Sequence, residues 1–444
     1  MKKSISIIGG GLAGSECAYQ LALRGFMVYL YEMRPSKQTE AHKTPYLAEL
    51  VCSNSLKSTS LSTSSGLLKE ELKLLNSIII KTSYETAVPA GNSLSVDRLK
   101  FSKKITNILK SLKNIKIIEK EVESIDDIEG DYIVIATGPL TSNKLADDIS
   151  LKFGDNLYFY DAISPIVESE TIDFDKCFFA SRYNKGNPDF LNYPIKEEEF
   201  EIFYNELINA KTTTYKSFEN PRYFEGCLPI EEMAKRGKET LLFGPFRPVG
   251  LKYQNKTPFA VLQLRRENEE GTAYNLVGCQ TKMLYSEQKR VFKIFEALKN
   301  ATFLRFGSMH RNTYINSPQI LSKNFMVKNN KKIYFAGQIS GVEGYVESIA
   351  SGLIVALDII FREASKTLEL PNPTALHALS NYNINFQGKS FSPSNFHFGL
   401  LPPLEIKVKN KKERKLLYSK RALEELSDFI EKYRFMLKFT YELK

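Results

Sequence analysis

Residues 4–32 read SISIIGGGLAGSECAYQLALRGFMVYLYE, and the fold follows from how this stretch is read. A short apolar strand runs into a glycine turn, a segment with helical spacing follows, and a second apolar strand ends on Glu32. Gly9, Gly11 and Gly14 match G-x-G-x-x-G between a strand and a helix, the context that gives the pattern meaning. The first glycine permits the tight turn, the second lets backbone amides approach a pyrophosphate, and the third lets helix pack against strand. With Gly10, Leu12 and Ala13 completing the turn, the helix N-terminus turns its partial positive charge toward phosphates. Glu32 stands at the second strand's tip, where an adenosine ribose would donate to it, and Met33 and Arg34 follow directly. The prediction is a dinucleotide-binding α/β domain.

FAD and NAD share that fingerprint, so the choice comes from further along the chain. Residues 131–138, DYIVIATG, predict a buried strand ending in Ala136, Thr137 and Gly138. Residues 332–355, KIYFAGQISGVEGYVESIASGLIV, predict a strand, a glycine-rich turn and a helix with small residues on one face. Such a late return to the nucleotide fold is a feature of FAD-binding, disulfide-reductase-like Rossmann domains, whose last helix points its N-terminus at the flavin ring. Gly337, Gln338, Gly341, Glu343 and Gly344 are the candidate contacts there. The expected cofactor is FAD, with NAD(P)H visiting as reductant.

At 444 residues the chain exceeds one simple core. The expected division is an FAD-binding domain made of 1–145 and 305–444, with 146–304 inserted as an α+β domain. The insertion differs in texture, with Pro-, Tyr- and Phe-rich loops, the acidic helical stretch KEEEFEIFYNELINA and the strand candidates FAVLQLRRE and YNLVGCQT. The C-terminal run KLLYSKRALEELSDFIEKYRFMLKF places Leu416, Leu417, Leu423, Leu426, Phe429, Ile430 and Tyr433 at helical spacing, which predicts an amphipathic helix packed on the body.

Five widely spaced cysteines without a CxxC pair, and four histidines without a ligand cluster, suggest neither a disulfide framework nor a structural metal. No apolar run has membrane-spanning length and the N-terminus lacks signal-peptide character, so a cytoplasmic protein is expected. The net charge of +10 invites a polyanionic partner, although a general lysine bias produces the same figure. The excess is uneven: Lys407–Arg421, KVKNKKERKLLYSKR, carries eight basic residues and one acid. It reads either as a solvated helix face or as a phosphate-contacting patch.

Two cysteines stand in unusual surroundings. Cys227, in RYFEGCLPI, sits between a glycine and a Leu-Pro step, outside any periodic apolar run that would make it a core filler. Cys52, in ELVCSNSLKS, has polar neighbours. Cys17, Cys177 and Cys279 lie in helical or strand-like runs and read as packing residues.

These contexts, with GGGLAGSE, LYEMRP, IATGPLTS, LYFYDAISPIVE, LFGPFRPVGL, MHRNTYINSP, FAGQISGVEGYVES and FHFGLLPPLE in order along the chain, resemble the folate- and FAD-dependent tRNA (uracil-5-)-methyltransferases. The resemblance covers essentially all 444 residues, and CSNSL and FEGCLP are far more specific than any glycine loop. It implies methylation of a uridine in RNA, the T-loop of tRNA first and a ribosomal RNA uridine as the alternative. Methylenetetrahydrofolate would donate the carbon and reduced FAD the electrons. Cys227 matches the family's nucleophile, the thiolate that adds to the uracil ring and makes carbon 5 reactive. Cys52 matches its second functional cysteine, which removes the carbon-5 proton or assists the flavin-side chemistry. A small-molecule flavin oxidoreductase is the competing reading; it has no use for Cys227 on a turn or for a basic patch.

Overall fold

The computed structural model describes residues 3–39, 41–154, 157–213, 228–386 and 391–438. Ser4–Ile8 lies inside a six-stranded sheet ordered Met326–Val327, Asn330–Phe335, Tyr132–Ile135, Ser4–Ile8, Met27–Glu32 and Ile115–Glu119. All neighbours are parallel except the hairpin joining the first two. Ile7 pairs with Leu30 on one side and Val134 on the other, and all three are fully buried. Both faces of the sheet are covered, which is why these strands read as continuous apolar runs.

Two helices set the geometry of the nucleotide end. Leu12–Leu23 is buried along its whole length, and Tyr345–Glu363 is buried from Val346 to Phe361 apart from Ser348. They touch at Gly352: a Cβ there would overlap the Ala13 carbonyl, so only glycine permits this backbone-to-backbone crossing. The crossing brings the early glycine turn and the late one to the same end of the sheet, with Gly337 against the Ala13 side chain.

The inserted region holds a second six-stranded sheet, antiparallel throughout, ordered Phe178–Ala180, Phe190–Ile195, Ala260–Arg266, Ala273–Leu276, Ile166–Glu168 and Phe303–Arg305. Strand period 2 sorts Ala260–Arg266 cleanly. Ala260, Leu262 and Leu264 enter a phenylalanine-rich core with Phe200, Phe203, Phe246 and Phe295, while Gln263 and Arg265 lie on the other face. One core runs from Ile5 to Ile149 and resumes at Ile315; a second runs from Val167 to Ala301. The strands Leu157–Ala162 and Met309–Tyr314, paired antiparallel, carry the chain between them. The helix Asn143–Phe153 continues the first core beyond residue 145.

The C-terminal helix spans Lys411–Lys432, with the Asn410 side chain accepting from the Lys412 and Glu413 amides at 2.9 and 3.2 Å. Its packed stripe starts at Ser419 and continues through Ala422, Leu426 and Phe429. Leu416, placed by periodicity on the apolar face, is exposed, because the first turns precede the packed stripe. Among the described residues no helix is long and apolar enough to cross a membrane, and no group of three metal-ligating side chains is found.

Candidate functional site

A cleft opens where the parallel strands end. Gly9, Gly11, Leu12 and Ala13 line one side, and Ala136, Thr137 and Gly138 another. Glu32, Met33 and Arg34 close one end, and Gly337 and Gln338 the opposite end. Gly9 has φ +103°, and a Cβ there would stand 2.6 Å from the Ala136 carbonyl oxygen. Gly11 differs: its Cβ position has nothing within 4 Å, so the cradle beside the helix N-terminus is empty space that a side chain would fill. No side chain caps that helix, which leaves its first amides for a ligand. Gly10 and Gly14 stand behind the lining, against Leu47 and the Gly9 carbonyl.

Glu32 is more committed than its position at a strand tip suggests. It accepts from the Gly10 amide at 3.0 Å and from the Arg34 amide, Nε and Nη2 at 3.1, 2.9 and 3.0 Å. Burial pushes its carboxyl up, but Arg34 and the Gly10 amide outweigh burial and hold it below the ordinary carboxylate range. His42, which no sequence pattern singled out, also lines the cleft, and burial followed by the Arg34 charge lowers its imidazole to about 4.

The other late-segment candidates lie one layer behind the lining. Gln338 donates to Glu343 at 2.6 Å, Gly341 packs on the Phe391 ring, and Gly344 precedes the first turn of Tyr345–Glu363. Burial, then the like charges of Asp161 and Glu347, push the Glu343 carboxyl well above its ordinary value. The lining from this helix is Tyr345 and Ser348, one turn apart on one face; that spacing was the available signal.

Cys52 is half-buried beside the cleft, between the lining residue Val51 and Ser53. Its amide and that of Ser53 donate to the Tyr345 hydroxyl at 2.8 and 3.1 Å. Arg98 donates to the Leu50 and Cys52 carbonyls at 2.7 and 3.0 Å, and Arg305 to the Val51 carbonyl at 2.9 Å. From the inserted sheet, Arg265 donates to Asn54 Oδ1 and Ser53 Oγ, both at 2.9 Å. Glu267 pairs with Arg98 at 2.7 Å. Burial lowers the Arg265 and Arg305 guanidiniums and Arg98 adds to it, with Glu267 opposing.

Cys227 lies outside the described residues. Cys17 and Cys279 are fully buried and Cys177 packs against the second core; burial raises all three thiols, Cys177 to about 12. Lys409, Lys411, Lys412 and Arg414 are exposed at the start of the C-terminal helix, while Arg421 donates to the Pro403 carbonyl at 2.9 Å.

The family described as glucose inhibited division protein A matches residues 4–366. The methylenetetrahydrofolate–tRNA-(uracil-5-)-methyltransferase TrmFO of Natranaerobius thermophilus is 52% identical over 432 residues, 96% of this chain and 99% of the relative. The chain belongs to the TrmFO family. TrmFO of Aquifex aeolicus is likewise 52% identical, over 97% of each chain. Among solved structures, Aquifex aeolicus GidA superposes with a TM-score of 0.70 at 14% identity, covering 98% of this chain and 74% of that one. At that identity the likeness carries the fold, an FAD-binding Rossmann-type architecture, and TrmFO membership rests on the whole-length sequence match.

Proposed function

We propose that this TrmFO-family protein methylates carbon 5 of a uridine in tRNA, with methylenetetrahydrofolate as carbon donor and FAD held in the cleft. The observation that carries the reading is half identity, over nearly the whole of both chains, to relatives named for that reaction. The cleft fits the cofactor, because Gly11 leaves a cradle at an uncapped helix N-terminus where a pyrophosphate would meet backbone amides. Bound FAD supplies the hydride that brings the transferred carbon from the methylene to the methyl level.

The chain's own residues do the rest. Gly9, Gly10, Gly11, Leu12 and Ala13 form the turn for the pyrophosphate, with Gly14 holding the helix close. Glu32, Met33 and Arg34 flank the ribose end. Ala136, Thr137, Gly138, Gly337 and Gln338 enclose the remainder, while Gly341, Glu343 and Gly344 shape the last helix start. The Cys227 thiolate adds to the ring carbon next to carbon 5, on a base taken out of its stack. Cys52 takes the proton from carbon 5 once the new carbon–carbon bond has formed, and Cys227 then leaves. NAD(P)H would be the reductant for the bound FAD, the exposed lysines of 407–421 meet RNA phosphates, and the reaction runs in the cytoplasm. Residues 146–304 form an inserted domain between the two parts of the FAD-binding domain.

The test supplies purified protein with methylenetetrahydrofolate, NADPH and either unmodified tRNA or ribosomal RNA, and nucleosides are resolved by mass spectrometry. 5-Methyluridine in tRNA alone is the expected result. Its appearance only in ribosomal RNA, or in neither, would overturn the reading.

A further inference from the structure

The groups that face the Cys52 loop come from four packed elements: Arg98 from the helix Arg98–Ser111, Arg265 and Glu267 from and just after the strand Ala260–Arg266, Arg305 from the strand Phe303–Arg305, and Tyr345 from the last helix. Among the described residues three guanidiniums meet one carboxylate, and Glu267 spends both its oxygens on Arg98, at 2.7 and 3.3 Å. Instead of carboxylates, the remaining donors find carbonyls of residues 50, 51 and 52 and the side chains of Ser53 and Asn54. Buried cations persist where an anion balances them, and backbone carbonyls supply only dipoles. Cys52 interacts electrostatically with all three arginines, and its thiol is a group in this array that can supply negative charge.

We propose that Arg98, Arg265 and Arg305 are positioning residues that fix the Cys52 loop and hold its sulfur as a thiolate. Arg265 and Arg305 both lie on strands of the antiparallel sheet, so docking of that sheet onto the nucleotide-binding part prepares the cysteine. The fork of Arg265 spans adjacent side chains, Ser53 and Asn54, and Asn54 in turn donates to the Val96 and Arg266 carbonyls at 3.1 and 3.0 Å, which ties the loop to both parts. Among the described residues Arg305 reaches the Ala41 and Val51 carbonyls and no side chain of the loop, so it contributes charge more than side-chain orientation. A thiolate in this place is suited to taking a proton near neutral pH. The proposal rests on the reading of Cys52 as a functional cysteine.

The experiment follows alkylation of Cys52 by iodoacetamide in the flavin-loaded full chain between about pH 5 and pH 10, resolved by peptide mass spectrometry. Buried Cys17 and Cys279 serve as slow internal references. The parent protein is expected to reach half its limiting rate at least about one pH unit below the ordinary thiol value of about 8.5. Arg265→Gln should move that midpoint up by about one unit, which slows alkylation about tenfold at neutral pH. Arg305→Gln should move it less, and Arg265→Lys, which keeps the charge, should largely restore it. A purely structural role would alter the rate at every pH and leave the midpoint in place. An ordinary midpoint in the parent overturns the proposal without recourse to any variant, as does an unmoved midpoint in both glutamine variants. Cys52→Ala with undiminished methylation would remove the functional reading of Cys52 while leaving the titration result standing, so the two failures are distinguishable.

Discussion

The glycine cleft and the Cys52 loop lie side by side, yet they are built on different principles. The cleft's turn is made by residues within a few positions of one another, where Gly9 takes a positive φ and Gly11 leaves open space beside the helix start. The Cys52 loop has one short local tie, the Ser55 amide donating to Ser53 Oγ at 3.1 Å, and is held mainly from afar. Its backbone groups are held by Arg98, Arg305 and Tyr345, at sequence separations of 46, 254 and 293 residues. A cofactor cradle needs backbone conformation, which neighbouring residues encode. The guanidiniums around the Cys52 loop come from several elements, which only packing brings together.

The largest test of this contrast concerns Cys227. Cys227→Ala should abolish methylation and also abolish the covalent species that 5-fluorouridine-substituted RNA would trap, with flavin content unchanged. A denaturing gel reads the adduct, and one that persists in the variant means another residue is the nucleophile. Cys52→Ala should reduce methylation by about two orders of magnitude or more, the scale of a lost general base. Flavin loading should persist, and the trapped adduct should still form, because addition precedes proton removal.

On the cleft side, Gly11→Val should place a side chain in the empty cradle and reduce flavin loading at least about tenfold, seen as a colourless protein. A folded, fully yellow Gly11→Val protein would move the pyrophosphate elsewhere. His42 gives a pH test of the same wall. Burial, then the Arg34 charge, lowers its folded value to about 4, below the unfolded histidine value of about 6.5. The unfolded chain therefore takes up the proton first as pH falls. Stability is undiminished above about pH 6.5 and declines toward about pH 4, by roughly 3 kcal/mol from this group. His42→Gln should flatten the urea midpoint across that window, and an equally steep decline in the variant would assign the acid sensitivity to other groups.

The smallest expected effect belongs to the basic segment. Neutralising Lys409, Lys411, Lys412 and Arg414 should lower the salt slope of RNA binding by up to about one unit for each RNA phosphate that no longer meets a cation. Flavin reduction should not change. An unaltered slope returns these exposed turns to the role of a solvated helix face.

Much of the nucleotide-binding part was legible in the chain. The strand–glycine–helix–strand order of residues 4–32, the buried strand before Ala136 and the late return around Gly337 all take the form their periodicity predicts. Twelve of the seventeen cofactor candidates line one cleft, the others standing just behind it. The inserted antiparallel sheet was less legible, because six short strands of three to seven residues carry little periodic signal each. His42, Tyr345 and the three arginines went unselected for a related reason. An arginine at the end of VLQLRR looks like any strand-edge charge until the sheet is folded against residues 50–54.

The phosphate turn is thus written in the chain itself, since positive-φ glycine and an uncapped helix start act over a handful of residues. The contexts CSNSL and FEGCLP, which carry the family resemblance, are written there too. That Glu32 is occupied by Arg34 and Gly10, and that three guanidiniums converge on one loop with Glu267 beside them, emerges only on folding. Electrostatic balance is a property of what lies within a few ångströms, and residues 212 positions apart, such as Ser53 and Arg265, become neighbours only when both cores have formed and docked.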